Sequence, residues 1–293
     1  MTEENAVLIR VGEIPLWILK SDYQLPRFEG GEGRIPDLAP LDAVFEHHWR
    51  CGLEFTLIDV GAKYGLSTIA AANYIHAHGH NSPIIAFEPG AAADLIGRNL
   101  TMNQLDSRVV LELKAVSDRC GEAVIYSEPD HPEDNHIIRR NIDRPFDTKL
   151  VPTTSLDSYT ERSEIRPPIV LKVDTQGAEW EVWVGMRALV QSGLVTLMTE
   201  FTPWTFEGRA EPTRFLRELS EHYHIVNINP KNMAGSFKES EADFQLIIPE
   251  SFEVFTQSVA ASAFGWTDLL CIPQRLPHSS QLLETIVAHD RHR

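Results

Sequence analysis

Four acidic residues close four apolar runs: Asp59 after Phe55–Ile58, Glu88 after Ile84–Phe87, Asp174 after Ile169–Val173, and Glu200 after Val195–Thr199. Carboxylates at the carboxyl ends of strands in an open α/β sheet line the crevice where ligands bind. Such groups accept hydrogen bonds from ligand hydroxyls, offset a cationic ligand, or take up a proton. Directly after the first run comes Gly61-Ala-Lys-Tyr-Gly65, and a helical pattern then starts at Leu66-Ser67-Thr68. Strand, glycine turn and helix in that order make the first crossover of a doubly wound sheet. Gly61 and Gly65 allow positive φ and let a ligand lie against bare backbone.

Such a turn usually cradles a nucleotide, and two compete here. A dinucleotide requires Gly-x-Gly-x-x-Gly so that its pyrophosphate reaches the backbone. This turn has Gly-x-x-x-Gly, and the Asp59 carboxylate would repel a pyrophosphate. S-adenosylmethionine carries an ammonium and a sulfonium and no phosphate, so Asp59 would favour it.

Glu88 follows Gly61 by 27 positions. An acidic side chain there accepts from the cofactor ribose; otherwise it is a solvated carboxylate at a strand end. Asp174 and Glu200 end adjacent central strands and can serve as base, as metal ligands, or as hydrogen-bond partners of the methionine part of the donor. Hard oxygen ligands of this kind suit Mg²⁺. The plainer role for Asp174 is to cap the helix that begins near Ala178. His136 stands in a polar segment expected to overhang the crevice and is a candidate base, although a loop histidine is more often solvated. Arg139 and Arg140 beside it either bind an anionic acceptor or solvate the loop. His76-x-His78-x-His80 falls at a helix end, where the dipole favours histidine irrespective of metal. Trp204 follows the fifth strand and either stacks on an acceptor or fills the loop, whereas Trp180 and Trp183 read as packing residues.

The elements that position these residues follow from apolar periodicity. Val7–Leu19 reads as a hairpin, Gly30–Gly33 as a mobile loop and Leu41–Trp49 as a helix covering one side of the sheet or one mouth of the site. Strands are expected at Phe55–Val60, Ile84–Glu88, Val109–Lys114, Ile169–Asp174, Val195–Glu200, Ile225–Ile228 and Asp268–Ile272. The helix between the second and third strands should bury Leu95, Ile96, Leu100 and Met102, and a continuous helix is expected over Ala178–Gln191. Glu122–Tyr126 adds a strand ahead of the polar stretch Pro129–Pro145. Pro273–Arg293 reads as a polar, frayed end.

The 293 residues are enough for one sizeable core, and the 43% hydrophobic and 23% charged composition is that of a soluble globular protein. A net charge of −16 argues against nucleic acid and anionic membrane as partners. Cys51, Cys120 and Cys271 are odd in number and far apart, which reads as buried thiols in a reducing compartment. With an acidic N-terminus and no long apolar run, the expected location is cytoplasmic, with no membrane insertion.

Over about Phe55–Trp204, and more weakly over Trp266–Pro273, the chain resembles the FkbM-type family of S-adenosylmethionine-dependent methyltransferases. The resemblance rests on Ile58-Asp-Val-Gly-Ala-Lys-Tyr-Gly65, Ala86-Phe-Glu-Pro89 with Asn99 and Asn103, and Ala115-Val-Ser-Asp118 with Gly121. It extends to Thr154-Ser-Leu-Asp157, Leu171-Lys-Val-Asp-Thr-Gln-Gly-Ala-Glu179 with Gly185, and Thr199-Glu200. It implies O-methylation, often of sugar or secondary-metabolite hydroxyls, with Asp59, Gly61, Lys63, Gly65, Glu88 and Ser117 lining the donor site. Ser67, in the first helical turn, and Asp174 are taken with them. Many members carry Glu where this chain has Gln176, which weakens a metal-ligand role there.

The expected fold is therefore a doubly wound, mostly parallel, seven-stranded α/β sheet of the class I methyltransferase, Rossmann-like type. It comprises an N-terminal extension (1–50), a methyltransferase domain (51–273) and a C-terminal tail (274–293). The expected activity is S-adenosylmethionine-dependent O-methyl transfer to a saccharide, glycoconjugate or secondary-metabolite hydroxyl. Asp174, Glu200 and His136 are the catalytic candidates, Mg²⁺ is an admissible cofactor, and the partner is a small-molecule or glycan acceptor. A homo-oligomer is compatible with the composition. The alternatives are an NAD-dependent oxidoreductase and a non-catalytic S-adenosylmethionine-binding module.

Overall fold

A computed structural model describes residues 5–22, 24–29, 39–90, 92–128, 131–136, 147–230 and 244–289; of residues 27, 128, 131–136, 147 and 289 only the backbone is described. The Gly30–Gly33 loop and Arg139 and Arg140 fall outside these residues.

The chain opens with the expected hairpin, β1 (Ala6–Val11) paired antiparallel to β2 (Ile14–Leu19), followed by α1 (Leu25–Glu29) and α2 (Ala39–Arg50). The first crossover is β3 (Thr56–Val60), the glycine turn and α3 (Leu66–Ala77). Next come β4 (Ile84–Phe87), α4 (Ala93–Met102) and β5 (Val109–Glu112). Further along lie the central strands β10 (Ile169–Val173) and β11 (Val195–Phe201), separated by two short helices, α6 (Glu179–Val184) and α7 (Arg187–Val190). α8 (Pro212–Ser220), β12 (Tyr223–Asn227), β13 (Gln245–Ile247), α9 (Phe252–Ala260), β14 (Thr267–Pro273) and α10 (Ser279–His289) complete the chain.

The central sheet has eight strands in the order β13-β12-β14-β11-β10-β3-β4-β5. Six share one direction, whereas β14 and β13 run against their neighbours. The expected seven strands are all present. The eighth, Gln245–Ile247, is too short to show the alternation that identifies a strand by pattern. The Asp268–Ile272 run is inserted between β11 and β12 and does not close an edge.

Three other elements depart from expectation. A smaller sheet in the order β6-β9-β7-β8 forms from β6 (Ala115–Val116), β7 (Gly121–Glu128), β8 (His131–His136) and β9 (Asp147–Thr154). Part of the polar stretch is thus a strand, and α5 (Leu156–Arg162), capped by the Ser155 hydroxyl accepting from the Ser158 N–H at 3.2 Å, follows it. The helix expected over Ala178–Gln191 breaks at Gly185, whose Cα lies so close to Ser117 that a Cβ would sit 2.1 Å from the Ser117 carbonyl oxygen. The C-terminal segment is a helix over 279–289 that buries Leu282 and Ile286 in the same core as α2 residues Leu41, Val44 and Phe45.

Two apolar layers sandwich the sheet. Leu57, Val170, Met198 and Leu270 face the hairpin, α2, α3 and α10. Ile58, Leu171, Leu197 and Leu269 face α6, α8 and α9. Strands buried on both sides read as continuous apolar runs, as β10 and β11 do. In α4, Leu95, Ile96 and Leu100 are buried as expected, but Asn99 is buried with them and Met102 is not. Among the cysteines, Cys271 is buried, Cys51 is half-buried and Cys120 is exposed, correcting the expectation of three buried thiols; none is paired.

Candidate active site

Side chains alternate between the faces of a strand, so register decides which residues meet. Lys172 on β10 stands opposite Asp59 on β3 and Met198 on β11, and Met198 stands opposite Leu270 on β14. Two residues further along the same face come Asp174 and Glu200, with Asp268 opposite Glu200. Asp59, Lys172, Asp174, Glu200 and Asp268 therefore share one face where the parallel strands end. The structure thus brings three of the four expected carboxylates together and adds a lysine and an aspartate that sequence reasoning passed over. The available signal for Lys172 was a charged residue inside an otherwise apolar, doubly buried strand.

Glu88, the fourth carboxylate, closes the adjacent strand β4. Its Oε2 accepts the Lys63 backbone N–H at 2.8 Å and its Oε1 the Gly90 N–H at 2.7 Å. Burial nevertheless outweighs these bonds and pushes the Glu88 carboxyl up to about 7. Lys63 has positive φ (52°), and its ammonium pairs with Asp22 of the N-terminal extension at 3.0 Å. The extension therefore reaches the glycine turn itself. Asn99 reinforces that contact, exchanging hydrogen bonds with the Trp17 backbone (2.7 and 2.9 Å) and donating to the Tyr64 carbonyl at 2.8 Å.

The two turn glycines are required by packing. A Cβ on Gly61 would sit 1.8 Å from the Asp174 carbonyl oxygen, and one on Gly65 would sit 2.9 Å from Ile96 Cγ1. Both have φ of +83°. Gly61 thus lets the ends of β3 and β10 close on one another, which sets Asp59 beside the Asp174 turn. Ser67 lies half-buried in the first turn of α3, and the buried Ser117 donates its N–H to the Thr154 carbonyl at 2.9 Å, at the junction of the two sheets.

Asp174 does not cap the helix after its strand. No side chain caps that helix; its first residue, Glu179, instead ties down the turn before it, its Oε1 accepting from the Thr175 N–H and hydroxyl, both at 2.9 Å, and from the Gly177 N–H at 3.3 Å. Asp174 instead accepts from Gln176 Nε2 at 3.1 Å and faces Lys172 at 3.4 Å, with its side chain 41% exposed. Glu200 accepts from the Thr202 hydroxyl at 2.6 Å. Burial first, then the charges of Asp174 and Glu179, raise its pKa well above the carboxylate range. Burial likewise pushes Asp268 up to about 6.

Among the described residues no three histidine, cysteine or carboxylate side chains are gathered to hold a metal. Between Asp59 and Asp174 the Lys172 ammonium already stands where a cation would sit. The residues present do not fit Mg²⁺ there. His136 lies in β8, opposite Tyr126 and five residues along β7 from the Gly121–Thr153 rung; its side chain is outside the described residues. His80 stacks on Trp49 with ring centroids 4.0 Å apart, which accounts for that histidine without a metal. Trp183 is buried and Trp204 is half-exposed.

A doubly wound sheet with a glycine turn after its first strand, an acidic residue ending the second and carboxylates at the ends of the central pair defines a nucleotide-type ligand crevice. The chain belongs to the methyltransferase FkbM domain family, which matches residues 59–228, from the first crevice aspartate to just past β12. Among solved structures it is similar to methyltransferase FkbM from Methylobacillus flagellatus KT, at 16% identity and a TM-score of 0.38 over 59% of this chain and 39% of that one. The chain thus spans about two fifths of that structure's length. A putative O-methyltransferase from Klebsiella pneumoniae matches at 10% identity and a TM-score of 0.39, covering 81% of this chain and 80% of that one. Geranyl diphosphate C-methyltransferase from Streptomyces coelicolor A3(2), solved with Mg²⁺, geranyl diphosphate and S-adenosyl-L-homocysteine, matches at 13% identity and a TM-score of 0.34, over 76% and 73%. No curated protein matches the chain by sequence.

Proposed function

We propose that this methyltransferase moves a methyl group from S-adenosylmethionine to a hydroxyl of a saccharide, glycoconjugate or secondary metabolite, without a metal in the step. The observation that carries the reading is the single acidic face built from Asp59, Asp174 and Glu200, beside a turn closed by Glu88. A crevice of this charge favours a donor bearing an ammonium and a sulfonium over a pyrophosphate. Asp59, Gly61, Lys63, Gly65, Ser67, Glu88, Ser117 and Asp174 would hold the donor, with Glu88 accepting from its ribose hydroxyls through lone pairs that its two backbone partners leave free.

When bound, S-adenosylmethionine supplies an electrophilic methyl carbon. An alcohol is a poor nucleophile, so the chain must align it, exclude water and take its proton. Asp174, half-exposed at the crevice, is the proposed base, and Glu200 beside it holds a proton more tightly than an ordinary carboxylate. The Asp174–Glu200 pair thus accepts the proton that the acceptor hydroxyl loses. His136 is a second candidate for that role, and Trp204 a candidate stacking surface for a sugar face. Residues 51–273 would carry the transfer, with residues 1–50 closing one mouth through Asp22. A cytoplasmic setting goes with this reading and is supported by three unpaired cysteines. Among the described residues no helix is long and apolar enough to cross a membrane.

Calorimetry with S-adenosylhomocysteine and NAD tests the donor: tight binding of the first and none of the second is expected, and the reverse preference would remove the reading. Turnover against a glycan panel, with and without chelator, tests the acceptor class and separates an enzyme from a non-catalytic binding module.

A further inference from the structure

We propose that Lys172 is the positioning residue of this site, a built-in cation that holds the Asp59 and Asp174 carboxylates in place of a divalent metal. The inference rests on the donor-site reading for what the carboxylates serve, and on geometry alone for what holds them.

The geometry is a continuous chain of contacts across the sheet. The Thr68 hydroxyl, in the first turn of α3, donates to Asp59 Oδ2 at 2.6 Å. Asp59 Oδ1 faces Lys172 Nζ at 3.5 Å, and the same ammonium donates to Asp174 Oδ2 at 3.4 Å. Gln176 Nε2 donates to Asp174 Oδ1 at 3.1 Å and ends the chain. Asp59 is 2% exposed, and its Oδ1 receives no hydrogen bond among the described residues, so the charge opposite must offset its burial. Lys172 is itself buried, at 8% exposure.

Among the described residues the charged groups that act on the ammonium are acidic: Asp59 from β3, Asp174 from its own strand end and Asp268 from β14. Burial alone would lower the proton affinity of Lys172, but these three carboxylates outweigh it and raise it, so the lysine stays charged. Asp174 is faced in addition by Glu200 and Glu179, both of which burial favours in the protonated form. A lysine two residues before Asp174 on the same strand is on the same face by geometry. It therefore supplies a fixed positive charge at the crevice floor that needs no loading.

Thermal unfolding of wild type, K172M, D59N and K172M/D59N at about pH 8 tests this. Losing the lysine alone leaves a buried carboxylate unpaired, so K172M should melt roughly 10 °C below wild type. Removing both charges should recover part of that loss, so K172M/D59N should melt above K172M. Additive single effects would mean a packing role and overturn the proposal. Should K172M not fold, K172R decides: a folded K172R supports the charge role, and its failure alongside K172M overturns it. For wild type, affinity for S-adenosylhomocysteine should change less than about twofold when excess EDTA is added, and a tenfold loss would show that a metal is needed. A wild type that binds no S-adenosylhomocysteine refutes the donor reading, while the melting comparison still decides Lys172.

Discussion

Asp174 and Glu88 show how the same side-chain type takes different work from its surroundings. Asp174 is half-exposed and tied to Lys172 and Gln176. Its replacement by alanine should cut turnover at least about a hundredfold in a donor-product assay, and near-normal rates would remove it as the base. Glu88 is buried, with its carboxyl pushed up to about 7. Because its folded pKa lies above its unfolded value, its contribution to stability is complete below about 4.5 and is lost as pH rises through about 7. On the proposed donor-site reading, ribose hydroxyls would donate to the ionised form, so affinity for S-adenosylhomocysteine should rise across that same upper range. Glu88→Gln should flatten the rise, and calorimetry at several pH values reads both effects. An E88Q profile that still climbs with pH would assign the dependence elsewhere.

At the scale of elements, close approach of backbones sets the crevice. Gly61 and Gly208 both have positive φ, so alanine at either is strained by roughly 1–2 kcal/mol. Only at Gly61 does a Cβ also meet another strand's backbone, whereas nothing lies within 4 Å of one at Gly208. Denaturant unfolding should therefore show Gly61→Ala costing at least about 3 kcal/mol and Gly208→Ala no more than about 2 kcal/mol. Gly61→Ala should also lose donor binding, because it drives the Asp59 and Asp174 segments apart. The crossover itself was legible, since apolar runs and glycine turns are local signals. The close approach at Gly185, where the helix breaks, was not, because the backbone it meets is that of Ser117, far away in the chain and adjacent only after folding.

Over the whole molecule, segments outside the doubly wound unit support the crevice from behind. The hairpin, α2 and α10 cover the apolar continuation of the face that carries Asp59 and Lys172. Deleting residues 279–293 removes the buried Leu282 and Ile286, each contributing about 1.5–3 kcal/mol by burial, and uncovers Phe45 and Val44 of α2. The truncated chain should melt at least several degrees lower, and an unchanged melting temperature would show the helix to be dispensable. Its apolar residues Leu282 and Ile286 lie in a tail that also carries His278, His289 and His292 with Arg275, Arg291 and Arg293, where composition masks a four-residue apolar spacing.

By itself the sequence determined seven of the eight strands of the central sheet, the glycine turn and the acidic residues at the strand ends. These depend on residues within about ten positions of one another, through side-chain periodicity and turn chemistry. Only the tertiary structure decided that Lys172 and Asp268 join the site, that Glu179 and not Asp174 orders the turn, and that Lys63 turns toward Asp22. Each of those depends on strand register or on contacts between distant segments, and a shift of one residue in register would put Lys172 on the opposite face from Asp59.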